Sequence, residues 1–345
     1  MEIASGPSDV IWDITYACPL RCIHCYSESG RRSTRQLGAP DLFRVADALI
    51  AMRPSAIAIA GGEPLAVPDL VDVAKRLSRS GIAVTLYTGG WHLDAGMADA
   101  LMGAVAQINV SVDGATAEVH DRIRGRAGSF DRAVEALTLL DEAVRRRLAA
   151  GLPAPVLGID CAVVRGNFHQ IDDLCTAVAR RFPRLGFLWF GAAVPSGLAS
   201  RADFAVHELV TDAQHRQLGS PEQLARIRSL APRSVAVASN DNLMLMMRPD
   251  LVARGVYMPA LQVEPDGEVR AMPIYEGTVG NVLTEPPDVL WDRAVQRWGD
   301  PFVVEALTPV RTMVQWADAA RRIDYHFGTD ATRARIDRRP AFAPS

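Results

Sequence analysis

Short apolar runs alternate with longer amphipathic segments through the first half of the chain. The apolar runs have the composition of buried strands, and they occupy residues 10–15, 56–60, 83–87, 107–112, 156–164 and 186–190. The segments between them repeat apolar residues at helical spacing, over 41–52, 67–80, 93–103, 130–149 and 168–181. Strands that are apolar throughout are typical of a parallel sheet covered on both faces. The pattern therefore predicts an α/β fold, a partial (β/α)6 barrel of the TIM type.

The pattern becomes less regular after residue 200. Helices are predicted at 221–230, 287–298 and 312–327, and a hairpin at 257–274 with its turn at 265–267. We therefore expect a barrel core over residues 1–200 and a smaller C-terminal extension over 201–345. The prolines in residues 338–345 predict a frayed end.

Composition narrows the functional classes. The 345 residues are 49% apolar and 22% charged, with a net charge of −3, so the basic footprint of a nucleic-acid-binding protein is missing. No apolar stretch is long enough to suggest a membrane span, and no signal peptide is visible. Five cysteines, three of them clustered, argue against a disulfide framework. We expect a cytoplasmic protein.

The clustered cysteines are Cys18, Cys22 and Cys25, which follow the first predicted strand with C-x3-C-x2-C spacing. Thiolates are the usual ligands of iron–sulfur clusters. Three thiolates on a four-iron cube leave one iron open, so such a site can bind a small molecule and also transfer an electron to it. Cys161 and Cys175 lie in apolar surroundings and are predicted to be core thiols.

A structural zinc site is the alternative for the same loop. His24 could join the three cysteines as a fourth ligand. It is adjacent to Cys25, however, which is a poor geometry for two ligands of one tetrahedral ion, and the sequence has no second zinc knuckle. An iron–sulfur cluster is the favoured interpretation.

The cysteine motif resembles the signature of the radical S-adenosylmethionine (SAM) enzymes, with His24 in the aromatic position. The resemblance implies one [4Fe–4S] cluster, SAM bound at the open iron, and an external electron donor such as flavodoxin or ferredoxin. In this family, reductive cleavage of SAM gives a 5′-deoxyadenosyl radical that abstracts hydrogen from the substrate. The resemblance therefore implies an enzyme of lyase or oxidoreductase type. The alternative interpretation is a metal-binding protein without catalysis.

Further motifs extend the resemblance to SAM contacts. In relatives, the G-G-E-P run pairs with the SAM amino group, S-x-D-G binds the ribose, and an arginine binds the carboxylate; here Arg122 is the other candidate for the arginine. In relatives, the ends of the fifth and sixth strands form the adenine slot. The end of the third strand resembles the T-N-G element of the family, with Gly89 in place of the asparagine. The SAM-contacting residues implied in this way are His24, Gly61, Gly62, Glu63, Thr88, Ser111, Asp113, Arg124, Val163 and Phe190.

Residues 263–273, 280–282 and 289–291 resemble the SPASM/twitch extension of some radical SAM enzymes. Met272 stands where a cysteine of that extension ligates an auxiliary cluster, and no cysteine follows Cys175. The resemblance therefore implies a retained scaffold without its auxiliary cluster.

The substrate is inferred from two features. The first strand begins by residue 10, with no room before it for a peptide-recognition domain, and the auxiliary-cluster cysteines are lost. Both favour a small polar molecule, most plausibly a nucleoside or sugar acid that undergoes decarboxylation, epimerisation or a similar non-oxidative change. The alternative is a ribosomal peptide. The candidate substrate contacts are Trp12, Asp160, Arg165, Trp189 and Glu264, and no catalytic residue is assigned.

Overall fold

The structure is a computed structural model that describes residues 6–32 and 36–342. Its strands form one sheet with the order β10-β9-β8-β1-β2-β3-β4-β5-β6-β7. Pairing is parallel from β8 through β7, and β9 and β10 are antiparallel additions at one edge. The strands are β1 (Asp9–Thr15), β2 (Ala56–Gly61), β3 (Ala83–Thr88), β4 (Gln107–Ser111), β5 (Val156–Val163), β6 (Leu185–Ala192), β7 (Ala236–Asn240), β8 (Ala260–Val263), β9 (Glu268–Arg270) and β10 (Thr278–Asn281).

Helices cover the sheet, and none in the described part of the chain is long and apolar enough to cross a membrane. They are α1 (Ala39–Met52), α2 (Leu70–Arg79), α3 (Ala95–Leu101), α4 (Ala117–Arg124), α5 (Ser129–Ala149), α6 (Ile171–Asp173), α7 (Ala202–His207), α8 (Asp212–Leu218), α9 (Pro221–Leu230), α10 (Pro249–Ala253), α11 (Pro287–Trp298), α12 (Pro301–Leu307), α13 (Met313–Phe327) and α14 (Asp330–Asp337).

The predicted α/β class is confirmed, and all six predicted strands occur at the expected places. The extension is joined to the barrel more closely than the sequence pattern indicates. Its strand β7 pairs with β6, and β8 pairs with β1, so the extension adds a parallel strand at each end of the barrel sheet. The hairpin turn predicted at 265–267 does connect β8 and β9.

Two helical predictions need correction. Residues 168–181 do not form one α-helix: 3-10 turns flank the short helix α6 and a π-helical turn at Leu174–Val178. Apolar spacing alone does not separate these related helices. Helix α4 was not predicted, although Thr116 caps its first turn and Gly125 ends it in the left-handed conformation.

Two glycines at the end of β2 allow the cysteine loop to pack closely against the barrel. Gly61 has a φ of +118°, and a Cβ atom on it would lie 2.4 Å from the Thr15 carbonyl oxygen. A Cβ atom on Gly62 would lie 2.2 Å from the Ala17 carbonyl oxygen. The Gly62 and Glu63 amides donate hydrogen bonds to those same two oxygens, at 2.6 and 2.8 Å. Glycine at these positions therefore fixes the root of the loop.

We predict that Gly62→Ala separates the cysteine loop from β2. The added methyl group meets backbone and not a flexible side chain, so we expect a loss of about 1–3 kcal/mol in the free energy of unfolding. Cluster content after reconstitution should also fall. Gly299→Ala is the matched control, because Gly299, like Gly62, lies outside the left-handed region, and a Cβ atom on it would lie 3.8 Å from the Gln296 carbonyl oxygen, an ordinary contact distance. Equal cluster content in the two variants would contradict this account of the loop.

Candidate active site

One cavity of about 380 Å³ brings most of the predicted site residues together. It is bordered by the loop after β1 and by the strands that follow it, as expected for a parallel barrel, whose sites lie at the carboxyl ends of strands. The predicted residues that line it are Cys18, Cys22, His24, Cys25, Gly61, Gly62, Glu63, Thr88, Ser111 and Arg124.

The cysteine loop is held by the end of α4 as well as by β2. The Arg21 amide donates to the Arg124 carbonyl at 3.0 Å, and the Ile23 amide donates to the Ile123 carbonyl at 2.9 Å. A Cβ atom on Gly125 would lie 2.2 Å from the Arg21 carbonyl oxygen, so this contact also requires glycine. The packing places the Arg124 side chain beside the thiol of Cys22, with Nη1 and Sγ 3.8 Å apart.

The three thiols fit an iron–sulfur cluster better than a single metal ion. All three border the same cavity, yet no group of three or more His, Cys, Asp or Glu within residues 6–32 and 36–342 is arranged to hold one ion. A four-iron cube separates its thiolate ligands more widely than one zinc ion does. Burial raises the pKa of Cys18 to about 12 and that of Cys22 to about 11. A bound cation at this site would favour their thiolate forms.

Glu63 is buried at the cavity wall and held by three donors. Thr88 Oγ1 donates to Oε1 at 2.6 Å, the Leu65 amide donates to the same oxygen at 3.2 Å, and the Gly89 amide donates to Oε2 at 2.9 Å. Burial raises the pKa of Glu63, and these hydrogen bonds favour its charged form. Thr88 thus acts on the cavity through Glu63, and the loss of asparagine at position 89 leaves the backbone donor in place.

Asp113 lies behind the cavity wall and is fully buried. Its Oδ2 is 2.9 Å from His24 Nε2 and 2.8 Å from Arg124 Nε, and its Oδ1 accepts a hydrogen bond from the Ala162 amide at 2.9 Å. The Arg124 N–H is not aimed at the carboxylate, so this contact is an ion pair without a hydrogen bond. Burial alone would raise the pKa of Asp113, but Arg124 and His24 hold it well below its usual range. Asp113 therefore orients two cavity residues.

Arg124, not Arg122, is the arginine at the cavity. Arg122 points elsewhere and pairs with Glu208, with Nη1 and Oε1 2.7 Å apart. Burial lowers the pKa of Arg124, but the Asp113 carboxylate more than offsets this and keeps the guanidinium charged. A cation fixed at the wall in this way suits a carboxylate ligand.

The structure does not bring Val163 or Phe190 to the cavity. Both are fully buried in the core, whereas their strand neighbours Ala162, Trp189 and Gly191 line the cavity. Cys161 and Ala192 also line it, so the cavity borders these two strands near their carboxyl ends but not at the two predicted side chains. The prediction that Val163 and Phe190 contact SAM through their side chains is therefore corrected: neither side chain reaches the cavity.

Two of the five predicted substrate contacts line the cavity, and three do not. Asp160 and Trp189 line the cavity. Trp12 is fully buried in the core. Arg165 is exposed and donates to the Leu209 carbonyl, and Glu264 is buried in an ion pair with Arg270. Trp12, Arg165 and Glu264 do not border the cavity. The prediction that these three residues contact the substrate is therefore corrected.

Sequence reasoning missed the part of the cavity wall that comes from the extension. Asn242, Leu245, Met258, Pro273 and Ile274 line the cavity. Pro273 ends the segment that resembles the SPASM/twitch extension, and the other four carry no recognisable motif; they reach the site because β7 and β8 join the barrel sheet. Knowledge of those two strand pairings was the signal needed to find them.

The extension also shows what surrounds the position of the lost cysteine. Met272 is buried in the hydrophobic core. Nearby, the fully buried Arg270 pairs with Glu264 at 2.5 Å and with Glu276 at 3.0 Å. Met272 therefore packs as an apolar core residue.

The family model described as the radical SAM superfamily matches residues 12–153, which include the cysteine motif and the first four strands. The chain carries a radical SAM domain. The cofactors of this radical SAM domain are a [4Fe–4S] cluster and SAM, and the three cavity thiols are the residues that fit the cluster.

Three curated relatives show what else the domain resembles. The chain is 35% identical to mycofactocin maturase MftC of Mycobacterium tuberculosis H37Rv, over 51% of this chain and 42% of the relative. It is 31% identical to the AdoMet-dependent heme synthase of Methanosarcina barkeri, over 41% and 42% of the two chains. It is 28% identical to the PqqA peptide cyclase of Ruegeria pomeroyi, over 49% and 42%. The matches thus span less than half of each relative.

A solved structure extends the likeness to the whole fold. Streptococcus suis SuiB bound to precursor peptide SuiA superposes with a TM-score of 0.63, covering 91% of this chain and 71% of that chain at 13% identity. Identity this low establishes the fold alone. The coverage shows that the extension, as well as the radical SAM barrel, follows a known arrangement.

We predict that Cys18→Ala, Cys22→Ala and Cys25→Ala each abolish the cluster and SAM cleavage together. Iron and sulfide analysis of the reconstituted parent chain should give about four of each, as one cube requires. Cys175→Ala is the first control, because this buried thiol does not border the cavity, and Cys161→Ala is the stricter control, because Cys161 is buried but borders the cavity from β5. Loss of the cluster in either control, or about eight iron atoms in the parent, would contradict the assignment.

We predict that Asp113→Asn weakens SAM binding without removing the cluster. Arg124 would lose its buried counter-ion, at a cost of about 3–5 kcal/mol in stability, and His24 would lose its anchor. Calorimetry with SAM and thermal unfolding measure the two effects. Glu208→Gln is the control, because it breaks an arginine pair outside the cavity and should change stability only. Unchanged SAM affinity in Asp113→Asn would rule out this role.

Proposed function

We propose that this chain is a radical SAM enzyme that modifies a peptide. The observation that carries the proposal is one cavity that joins the three thiols to Asp160, Trp189 and a wall of the extension. Among the relatives, a PqqA peptide cyclase carries the same domain. A SuiB structure that holds a precursor peptide has the same fold.

The nucleoside or sugar acid expected from the sequence gains no support. Arg165, the residue expected to bind a substrate carboxylate, is exposed and bonded to the Leu209 carbonyl outside the cavity. The comparisons favour peptide maturation, although a heme synthase is also a relative. The reaction type, whether lyase or oxidoreductase, is left open by the proposal.

The chain's residues divide between cofactor and substrate in this proposal. The cluster and SAM, when bound, supply radical chemistry that side chains do not provide. Cys18, Cys22 and Cys25 hold the cluster, while Glu63 and Arg124 present opposite charges to the amino and carboxylate groups of SAM. An external electron donor such as flavodoxin or ferredoxin supplies the electron.

Asp160 is assigned to the substrate side. Its carboxylate faces the cavity, and no hydrogen bond to it is found among the described residues. Burial, aided by the charge of Asp113, raises its pKa to about 7. A carboxyl group with a raised pKa and no hydrogen-bond partner among the described residues can accept a hydrogen bond from a substrate. Trp189, on the neighbouring strand, places an aromatic ring beside it.

We predict that co-expression with short peptides encoded beside its gene gives a peptide with a mass shift. Asp160→Asn should reduce the modified fraction by about tenfold, the loss of one carboxyl hydrogen bond to the substrate, while substrate-free SAM cleavage stays at the parental rate. Cys22→Ala serves as the control without cluster.

Two outcomes would contradict these assignments. If no peptide changes mass, and a nucleoside or sugar acid stimulates 5′-deoxyadenosine formation instead, peptide modification is wrong. If Asp160→Asn lowers SAM affinity, Asp160 belongs to the cofactor site.

A further inference from the structure

The turn that follows the third cysteine is built around a buried carboxylate. Glu28 lies three residues after Cys25, is 4% exposed, and has a φ of +55°. Its carbonyl oxygen accepts hydrogen bonds from the Arg31 and Arg32 amides. A left-handed non-glycine residue persists only where its surroundings hold it, and a buried carboxylate needs cationic partners. The partners of Glu28 therefore control the shape of this turn.

Those partners come from the opposite end of the chain. Arg339 donates to Glu28 Oε1 from Nε at 3.0 Å and from Nη2 at 2.8 Å. Arg335 pairs with the same oxygen and, through Nη2, with Glu276 Oε1 at 2.7 Å. The Arg339 side chain is 4% exposed. The end of the chain, predicted to fray, is instead tied to the cysteine loop up to Phe342, and residues 343–345 lie outside the described part.

A second contact reaches the loop on the other side of Cys25. Arg201 donates to the Ile23 carbonyl at 2.8 Å and to the Pro340 carbonyl at 2.8 Å. Phe342 packs edge-on against Phe204, with ring centroids 5.2 Å apart. The chain end thus supports the loop at residues 23 and 28, which flank the third cysteine.

We propose that Arg335, Arg339, Pro340 and Phe342, here called the C-terminal latch, are a positioning element of the iron–sulfur site. The latch holds Glu28 and Ile23, and so keeps Cys25 at the cavity for cluster binding. It touches neither substrate nor cofactor. The proposal rests on the assignment of the three cysteines as cluster ligands and not on the identity of the substrate.

The test uses Arg339→Ala, with Arg338→Ala as the matched control. Arg338 is the exposed neighbour, and no ion pair of its side chain is found in the described part of the chain. In the apoprotein, amide hydrogen exchange in residues 22–32 should be faster for Arg339→Ala than for the control. In the reconstituted protein, an iron chelator should extract the cluster about tenfold faster or more, because the buried Glu28 carboxylate keeps only one of its two cationic partners, Arg335.

A merely structural role would give a different result. It would lower the melting temperature without changing exchange in residues 22–32, chelator extraction or the electron paramagnetic resonance spectrum of the reduced cluster. Arg339→Lys keeps the charge but not the planar fork, and it should restore part of the resistance to the chelator. Parental exchange and extraction rates in Arg339→Ala would overturn the proposal.

Glu28→Gln covers the case in which Arg339→Ala fails to fold. It keeps the side-chain shape, removes the charge, and should also speed chelator extraction. If it matches the parent, the latch is not a positioning element. An incorrect cysteine assignment would be detected separately, because the cysteine variants would then retain their clusters. If the substrate is not a peptide, none of these measurements changes.

Discussion

The close packing of one irregular loop against three neighbours is the constraint on which the site depends. The loop that carries Cys18, Cys22 and Cys25 has no helix or strand of its own, so its shape is set from outside. The glycines after β2 fix its root, the end of α4 fixes its middle, and the chain end contacts its last turn. Three thiols therefore face one cavity.

Buried charge gives the second level of organisation. Asp113 lies among His24 and Arg124 behind the cavity, and Arg270 lies between Glu264 and Glu276 in the extension. Such groups contribute little net stability compared with apolar packing, but breaking one leaves a costly unpaired charge. They therefore favour one arrangement of barrel, loop and extension over others, which a reaction in a confined cavity requires.

The sequence pattern predicted the barrel because parallel strands are apolar throughout and leave a local signal. Motif spacing likewise located Glu63 and Ser111, which lie at or just after the ends of β2 and β4 and line the cavity. Predictions went wrong where the answer depended on contacts distant in sequence. Val163 and Phe190 are buried in the core, and the pairing of β8 with β1 has no local signature.

The roles assigned to the other cavity residues all depend on one assignment, namely that the three thiols hold a cluster whose open iron binds SAM in the cavity. Pulsed electron–nuclear double resonance on the reduced, reconstituted chain, with SAM carrying ¹⁵N at its amino group, tests it directly. We expect a hyperfine coupling between the cluster and the ¹⁵N nucleus that disappears without SAM. A cluster signal that SAM leaves unchanged, with no ¹⁵N coupling, would contradict the account.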